Sequence, residues 1–321
     1  MLLLSLSEFR MYKPLPKPKR TQKHLTEEEI RSYFPDEPFL LVFGSSHSHG
    51  SCTGPDGKAI IAKENKWTTI VSDHYGLPVV NLALPGVTNQ QIVTMMLDVA
   101  DRGLMKNAKL VLGEVRSGMS GGYFSRDVFG GWITGREFNN PEMTGGSDIW
   151  ASTYLSDKFI LYAPLLRNEK PNYFEGLLKS IWEDPPQEAV DDLRDYVEKQ
   201  AMFFHNSNHQ LFDNFQHIRT MDYIVRNQNV PFKWFAWSRW NPKIPEPKSG
   251  KWATGGHNET YFYFNEFTNV FENALFEHGL VTIAEQQGID ESKWLCDCKH
   301  WNEEGNKWVA SQIIPKLKTI L

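Results

Sequence analysis

Short apolar runs alternate along this chain with segments of helical spacing, and no other feature constrains its fold as strongly. The first run, Pro38–Phe43, is continuously apolar and ends in Gly44-Ser45-Ser46. Such runs are typical of strands that are buried on both faces of a parallel sheet. Later runs cover Leu77–Ala83, Leu110–Gly113 and Pro231–Trp237, and helical spacing covers Trp67–Tyr75, about Gln90–Arg102, roughly Gln187–Asn227 and about Phe264–His278. The alternation predicts an α/β fold: a three-layer α/β/α sandwich with a parallel sheet and ligand sites at the carboxyl ends of its strands.

Helix-capping residues and local composition indicate how the chain is divided into an N-terminal arm, a main domain and an insertion. We expect an N-terminal arm and a short helix, capped near Thr26, over residues 1–37, followed by one main domain over 38–321. Asn89 is predicted to cap the helix that starts near Gln90, and Asn302 to cap the last helix, which has an acidic first turn. Residues 118–186 are rich in glycine and aromatic side chains, which predicts a large insertion that forms a lid or side wall.

Charge and cysteine content argue against several classes of protein. The formal charge is -5, with lysine and arginine scattered along the 321 residues, so we expect neither nucleic acid nor a membrane as a partner. The three cysteines cannot form a disulfide framework, which indicates a reducing compartment. The opening apolar run, residues 1–6, is too short for a signal-peptide core. We therefore predict synthesis in the cytoplasm, and we predict no cofactor.

The residues with the clearest chemical pattern are a serine near the start of the chain and an Asp-x-x-His near its end. Ser46 follows a predicted strand in a turn of small residues, where its hydroxyl can lie at the mouth of a cleft. Asp297 precedes His300 by three positions, just before a predicted helix. That spacing allows the carboxylate to hold one ring nitrogen while the other takes a proton from the Ser46 hydroxyl. The pattern predicts a Ser-His-Asp triad.

Three segments resemble the SGNH/GDSL hydrolase family. Gly44-Ser45-Ser46 resembles the first block, a Gly-Asp-Ser turn that carries the nucleophile; the segment 81–89 resembles the second block, and Asp297-x-x-His300 the last. The similar segments cover roughly residues 38–116 and 228–320. The resemblance implies a flavodoxin-like parallel sheet and an oxyanion held by the backbone N–H groups of Ser46 and Gly86.

The same resemblance implies a reaction and a setting. It predicts cleavage of an ester, a short acyl or O-acetyl group on a carbohydrate or similar polar small molecule, through an acyl-enzyme. The pattern looks most like SGNH-like proteins of bacteriophages and marine bacteria, which would place a phage-encoded protein in the virion or the host cell.

Two positions depart from the family pattern. Position 45 is serine instead of aspartate, and the third block, which reads Gly113-Glu114-Val115-Arg116-Ser117, lacks the asparagine that helps to bind the oxyanion. Either Arg116 supplies the missing donor, or Glu114 pairs with Arg116 and both are neutralised. A fold that has lost the donor would serve as a glycan-binding or phage structural module, or as an acyltransferase.

Histidines and tryptophans near these blocks offer further binding candidates. His47 and His49 flank Ser46 and either shape the substrate pocket or ligate a metal; we favour the pocket and predict no metal. Trp240 and Trp252, flanked by proline and glycine, are candidates for a wall on which a sugar ring stacks.

Overall fold

The computed structural model describes residues 24–50, 61–83, 87–115, 120–124, 132–134, 149–151, 158–162, 186–188, 190–191, 195, 207–237, 242–243, 253–254, 271–296 and 300–321. The strands are β1 His24–Leu25, β2 Phe39–Phe43, β3 Val79–Asn81, β4 Ala108–Val115, β5 Ser120–Phe124, β6 Trp132–Thr134, β7 Ile149–Ala151, β8 Lys158–Tyr162, β9 Phe232–Ala236, β10 Pro242–Lys243 and β11 Ala253–Thr254. The helices are α1 Glu27–Ser32, α2 Ser46–His49, α3 Trp67–Tyr75, α4 Asn89–Asp101, α5 Ser207–Asn227, α6 Leu280–Gln286, α7 Glu291–Trp294 and α8 Glu303–Leu317, with a 3₁₀ turn at Lys63–Asn65. No helix in these ranges is long and apolar enough to cross a membrane.

The core of the molecule is a parallel sheet of four strands in the order β3-β2-β4-β9. A short segment continues the sheet beyond β9. The Trp234 N–H donates to the Asn273 carbonyl oxygen at 3.0 Å, and the Leu275 N–H donates to the Trp234 carbonyl oxygen at 2.8 Å. Ala274 lies between these bonds in a parallel bridge to Trp234.

Side chains of β2 alternate between two apolar cores, one on each face of the sheet. Phe39, Leu41 and Phe43 pack with buried residues of α4 and α5. Leu40 and Val42 pack with buried residues of α3, α6 and α8. A strand buried on both faces needs apolar residues at every position, and all five residues of β2 are buried. The predicted three-layer α/β/α sandwich is therefore confirmed.

The remaining strands form small antiparallel pairings. β5 pairs with β8, and β6 pairs with both β1 and β7. β5 to β8 all fall within residues 118–186, and β10 pairs with β11 further along the chain. The predicted insertion thus contains strands outside the parallel sheet, and its role as a lid stays a prediction.

Two sequence predictions about helices were wrong. Thr88, and not Asn89, caps α4: its side chain accepts from the Gln91 N–H at 3.2 Å, and the Gln91 side chain accepts from the Thr88 N–H at 2.9 Å. Asn89 is the first residue of the helix. The helix predicted over about 264–278 lies partly outside the described residues; residues 271–272 are helical, but residues 273–278 are not, because Asn273 and Leu275 bond to the edge of the sheet, so the predicted end of this helix was wrong. A helix that was not predicted, α6, follows.

Candidate active site

The candidate site lies at the carboxyl edge of the parallel sheet, where β2 runs into the turn Gly44-Ser45 and then into α2. All four residues of α2 are buried. The turn is tight, because a Cβ at Gly44 would lie 2.7 Å from Glu114 Oε2 and 2.9 Å from the Ser48 Cβ. Only glycine fits there without displacing a neighbour, as expected for a glycine required by close approach.

Ser46 and His300 meet at this edge. The Nε2 atom of His300 lies 2.7 Å from the Ser46 Oγ, across a sequence separation of 254 residues. Ser46 opens α2 and is 9% exposed, and His300 is half-buried. A ring nitrogen at this distance is within reach of the hydroxyl proton. Asp297, the predicted third member, lies outside the described residues, and its role stays a prediction.

Backbone hydrogen bonds join the residues just before His300 to His300 and the residues just after it. Cys296 N–H donates to the His300 carbonyl oxygen at 2.9 Å, and Asn302 N–H donates to the Trp294 carbonyl oxygen at 3.0 Å. Leu295 and Trp301 form an antiparallel bridge between them. These bonds hold His300 just ahead of α8.

Asn306, in the first turns of α8, ties this region to α3. Its Nδ2 donates to the carbonyl oxygens of Trp301 at 3.3 Å and Asn302 at 2.9 Å. Its Oδ1 accepts from the Trp67 N–H, the first of α3, at 3.1 Å. Because Lys66, the N-cap of α3, makes no side-chain cap bond, Asn306 caps α3 from another helix.

Glu114 lies beneath the turn that carries Ser46. The β2–β4 register pairs Phe43 with Gly113, so the next residue of β4 comes alongside Gly44. Glu114 is fully buried. Its Oε1 accepts from the Ser45 hydroxyl at 2.5 Å, and its Oε2 accepts from the N–H groups of Ser45 at 3.0 Å and Ser48 at 2.9 Å.

Arg116 lies outside the described residues, and both alternatives for it, a donor to the oxyanion or a pair with Glu114, stay predictions. What the contacts of Glu114 do reveal is a function that the sequence analysis did not predict, which is to hold the serine turn. All three partners donate, which suits a carboxylate as acceptor.

A lysine holds the other end of α2. Lys66 is buried, and its Nζ donates to the His49 carbonyl oxygen at 2.6 Å. Gly50 ends the helix in the left-handed region at φ 79°, and a Cβ there would lie 2.5 Å from the Lys66 Cε. A negative group at the N-terminus of a helix and a positive one at its C-terminus match the sign of the helix dipole.

His47 packs among aromatic rings beside the Ser46–His300 pair. Its ring stacks on Trp237 with centroids 3.8 Å apart, and lies 4.9 Å from the rings of both His300 and Trp301. His49 is buried. Across the described part of the chain, no three His, Cys, Asp or Glu side chains cluster so that they could hold a metal ion.

Two asparagines of the segment 81–89 have different roles: Asn89 joins two helices, and Asn81 holds α2. Asn89 Nδ2 donates to Asn214 Oδ1 at 2.7 Å in a buried contact between α4 and α5. Asn81 Nδ2 donates to the Ser48 carbonyl oxygen at 2.8 Å and so ties the end of β3 to α2. Gly86 lies outside the described residues. Trp240 and Trp252, the candidates for a sugar-stacking wall, also lie outside them.

Four residues of this site were missed by the sequence analysis as members of it: Asn81, Lys66, Trp237 and Asn306. For Asn81 a signal was available, because an amide at the end of a buried apolar run needs a hydrogen-bond partner. The other three act through contacts with residues that are distant in the sequence, and a single sequence does not indicate which distant residues meet.

Comparison with known proteins gives matches of structure. The chain is similar to solved ester-cleaving proteins. A carbohydrate acetylesterase family member from Sinorhizobium meliloti matches at 9% identity and a TM-score of 0.38, over 89% of this chain and 99% of that one. A protein of the lipolytic G-D-S-L family from Desulfitobacterium hafniense DCB-2 matches at 12% identity and a TM-score of 0.32, over 88% and 100%. A lipase/acylhydrolase from Enterococcus faecalis matches at 10% identity and a TM-score of 0.31, over 88% and 96%.

No family model and no curated protein matches the chain. Among the three solved neighbours, the protein from Desulfitobacterium hafniense DCB-2 carries the G-D-S-L name of the family that the sequence blocks resemble.

Proposed function

We propose that the protein hydrolyses esters through an acyl-enzyme formed on Ser46, with His300 as the general base. One observation carries the proposal: His300 Nε2 lies 2.7 Å from the Ser46 Oγ at the carboxyl edge of the parallel sheet. Ligand sites of open α/β sheets lie at this edge. A serine hydroxyl bonded to an imidazole at the mouth of such a sheet is the minimal arrangement for nucleophilic catalysis.

The proposed reaction has two halves. Ser46 Oγ attacks the ester carbonyl while His300 Nε2 takes its proton, and the imidazolium then returns that proton to the departing alcohol. In the second half, His300 takes a proton from water while the water oxygen attacks the acyl carbon; the bond to Ser46 Oγ then breaks, the imidazolium returns the proton to Ser46 Oγ, and the acid leaves. Asp297 would hold the imidazole in the tautomer that this exchange needs.

The oxyanion would be held by backbone donors. Within the described part of the chain, the Ser46 N–H makes no hydrogen bond, although Glu114 accepts from the N–H groups of Ser45 and Ser48 on either side. An open N–H at the nucleophile is the donor that an oxyanion hole uses. Gly86 and Arg116 are proposed as the second and third donors.

The proposed substrate carries a short acyl group, such as O-acetyl on a sugar. The ring of Trp237, which is half-buried, stacks on His47, and the His47 ring lies 4.9 Å from the His300 ring. An aromatic face of this kind suits a sugar-like alcohol, so we expect faster hydrolysis of an acetylated sugar than of the acetate of a straight-chain alcohol.

Labelling with a fluorophosphonate probe tests the proposed nucleophile without knowledge of the substrate. We expect the wild type to label, Ser46→Ala not to label, and His300→Ala to label at least about 10²-fold more slowly, which is the scale of general-base catalysis. Ser48→Ala is the matched control, because this serine lies in the same four-residue helix and its Oγ has no partner among the described residues. It should label like the wild type.

Two results would contradict the proposal. A folded wild type that never labels and does not hydrolyse p-nitrophenyl acetate would exclude a serine hydrolase and leave a binding module. Labelling that survives in Ser46→Ala would place the reactive serine elsewhere.

A further inference from the structure

We propose that Glu114 is a positioning residue that caps α2 from the neighbouring strand and thereby fixes the direction of the Ser46 side chain. This inference rests on the proposed nucleophilic role of Ser46. It concerns a carboxyl group that is fully buried at this edge of the sheet, at the opposite end of α2 from the buried Lys66. Its carboxyl group reaches both the residue before Ser46 and the residue two positions after it.

Capping is needed because α2 begins without a cap of its own. Ser45 is the N-cap residue, and its side chain accepts no bond from the helix. Instead, the Ser45 hydroxyl donates to Glu114 Oε1. In an ordinary cap, the N-cap side chain accepts from the N–H of the third helical residue. That N–H belongs to Ser48, and Glu114 Oε2 accepts it.

A four-residue helix cannot hold its own geometry, since one turn of helix is unfavourable in isolation. Ser46 is its first residue, so any loosening of the N-terminal turn moves the Ser46 Oγ relative to His300 Nε2. Gly44 adds a second constraint, because its Cα packs directly on the Glu114 carboxyl group and no side chain fits between them. The direction of the Ser46 hydroxyl therefore depends on the Glu114 carboxyl group.

The arrangement also accounts for serine at position 45, where the resembled family has aspartate. An aspartate at an N-cap would accept from the Ser48 N–H within its own helix. In this chain the acceptor comes from β4, and a serine that can donate to it is the complementary choice. A carboxylate at both positions would bring two like charges together in a buried site.

The test is a cycle of substitutions at positions 45 and 114. Glu114→Leu removes the acceptor at similar volume, and Glu114→Gln keeps the shape with one neutral acceptor. We expect the maximal labelling rate at saturating fluorophosphonate to fall about 10²-fold in E114L, the scale of a misplaced reacting group, and about tenfold in E114Q. The probe concentration at half-maximal rate should not change.

The labelling rate of S45D variants distinguishes a positioning role of Glu114 from a merely structural one. Alone, S45D should slow labelling, because its carboxylate faces Glu114. Combined with E114L, it should restore at least about tenfold of the lost rate, and combined with E114Q it should raise the rate instead of lowering it, because the new side chain caps α2 directly. If the role of Glu114 were purely structural, E114L and E114Q would lower the unfolding temperature, and S45D would slow labelling in these variants as it does alone.

The outcomes separate this inference from the proposed function. Wild-type labelling with unchanged rates in E114L and E114Q would overturn the role of Glu114 and leave the hydrolase proposal intact. Should E114L fail to fold, E114Q with and without S45D decides in the same way. A folded wild type that never labels would remove both proposals.

Discussion

Gly50 is a residue where two independent constraints act on one position. Its φ of 79° lies in the left-handed region, and the Lys66 side chain lies against its Cα. Gly76 shares only the first constraint: it ends α3 at φ 63°, and nothing lies within 4 Å of the position that a Cβ would take. A side chain at Gly76 would therefore meet backbone strain alone, whereas a side chain at Gly50 would meet backbone strain and steric overlap with Lys66.

We predict that Gly76→Ala lowers the free energy of unfolding by about 1–2 kcal/mol, the cost of a left-handed alanine. Gly50→Ala should cost more, because Lys66 must also move away from the His49 carbonyl oxygen, and it should slow labelling of Ser46. Urea denaturation of both variants measures the difference. Equal losses in the two variants would mean that Lys66 is not held in place.

At this scale the sequence predicted one contact of the site, between Ser46 and His300, but not what holds the two residues there. Ser46 and His300 were placed together by motif order, and their atoms are 2.7 Å apart. For Glu114, the sequence indicated only a pair with Arg116, as one of two alternatives. The contacts of Glu114 with Ser45 and Ser48 depend on the register between β2 and β4, which side-chain patterns do not reveal.

Helices of this protein are capped by other elements as well as by their own residues. Asn306 of α8 accepts from the first N–H of α3 and donates to two carbonyl oxygens in the chain that carries His300. Asn306 is fully buried, and so are Trp67 and Trp301, so water is a poor substitute partner for the amide. One amide therefore links the start of α3 to the approach to α8.

Asn306→Ala should lower the free energy of unfolding by about 2–4 kcal/mol, because each buried polar group left without a partner costs roughly 1–3 kcal/mol. Chemical denaturation measures the loss. The neighbouring Lys307→Ala is the control: its ion pairs with Glu303 and Glu304 are exposed, and such pairs contribute little. A similar loss in both variants would contradict a special role for the amide.

Helix bounds were predictable where local signals agreed. The bounds of α3 came out as predicted, because apolar spacing and Gly76 agree on where the helix ends. For α4, the sequence carried the correct signal in Thr88 and Gln91, three residues apart as in a capping box, but Asn89 was chosen instead. Residues 273–278 could not be predicted, because pairing with the edge of the sheet overrides their helical spacing.

At the scale of the whole molecule, stability depends on a parallel sheet that is covered by helices on both faces. Leu41 packs toward α4 and α5, and Leu40 packs toward α3 and α8. Leu97, on α4, is 43% exposed. Neighbouring residues of one strand thus belong to two different cores, whereas Leu97 belongs to neither.

Leu40→Ala and Leu41→Ala should each lower the free energy of unfolding by about 2–5 kcal/mol, the usual cost of truncating a buried leucine. Leu97→Ala should change it by less than about 0.5 kcal/mol, as surface substitutions do. Urea denaturation compares the three. A small loss at either Leu40 or Leu41 would show that one face of the sheet is open to solvent.

The parallel order of the sheet also sets when the Ser46–His300 pair can exist. The two residues are 254 positions apart, and contacts of such long range form only after the entropy of closing a long loop has been lost. A chain that is still folding has the serine and the imidazole but not their hydrogen bond. Its serine is then an ordinary alcohol, and the proposed reactivity toward acyl groups arises only when β2, β4 and β9 have assembled and α8 has docked.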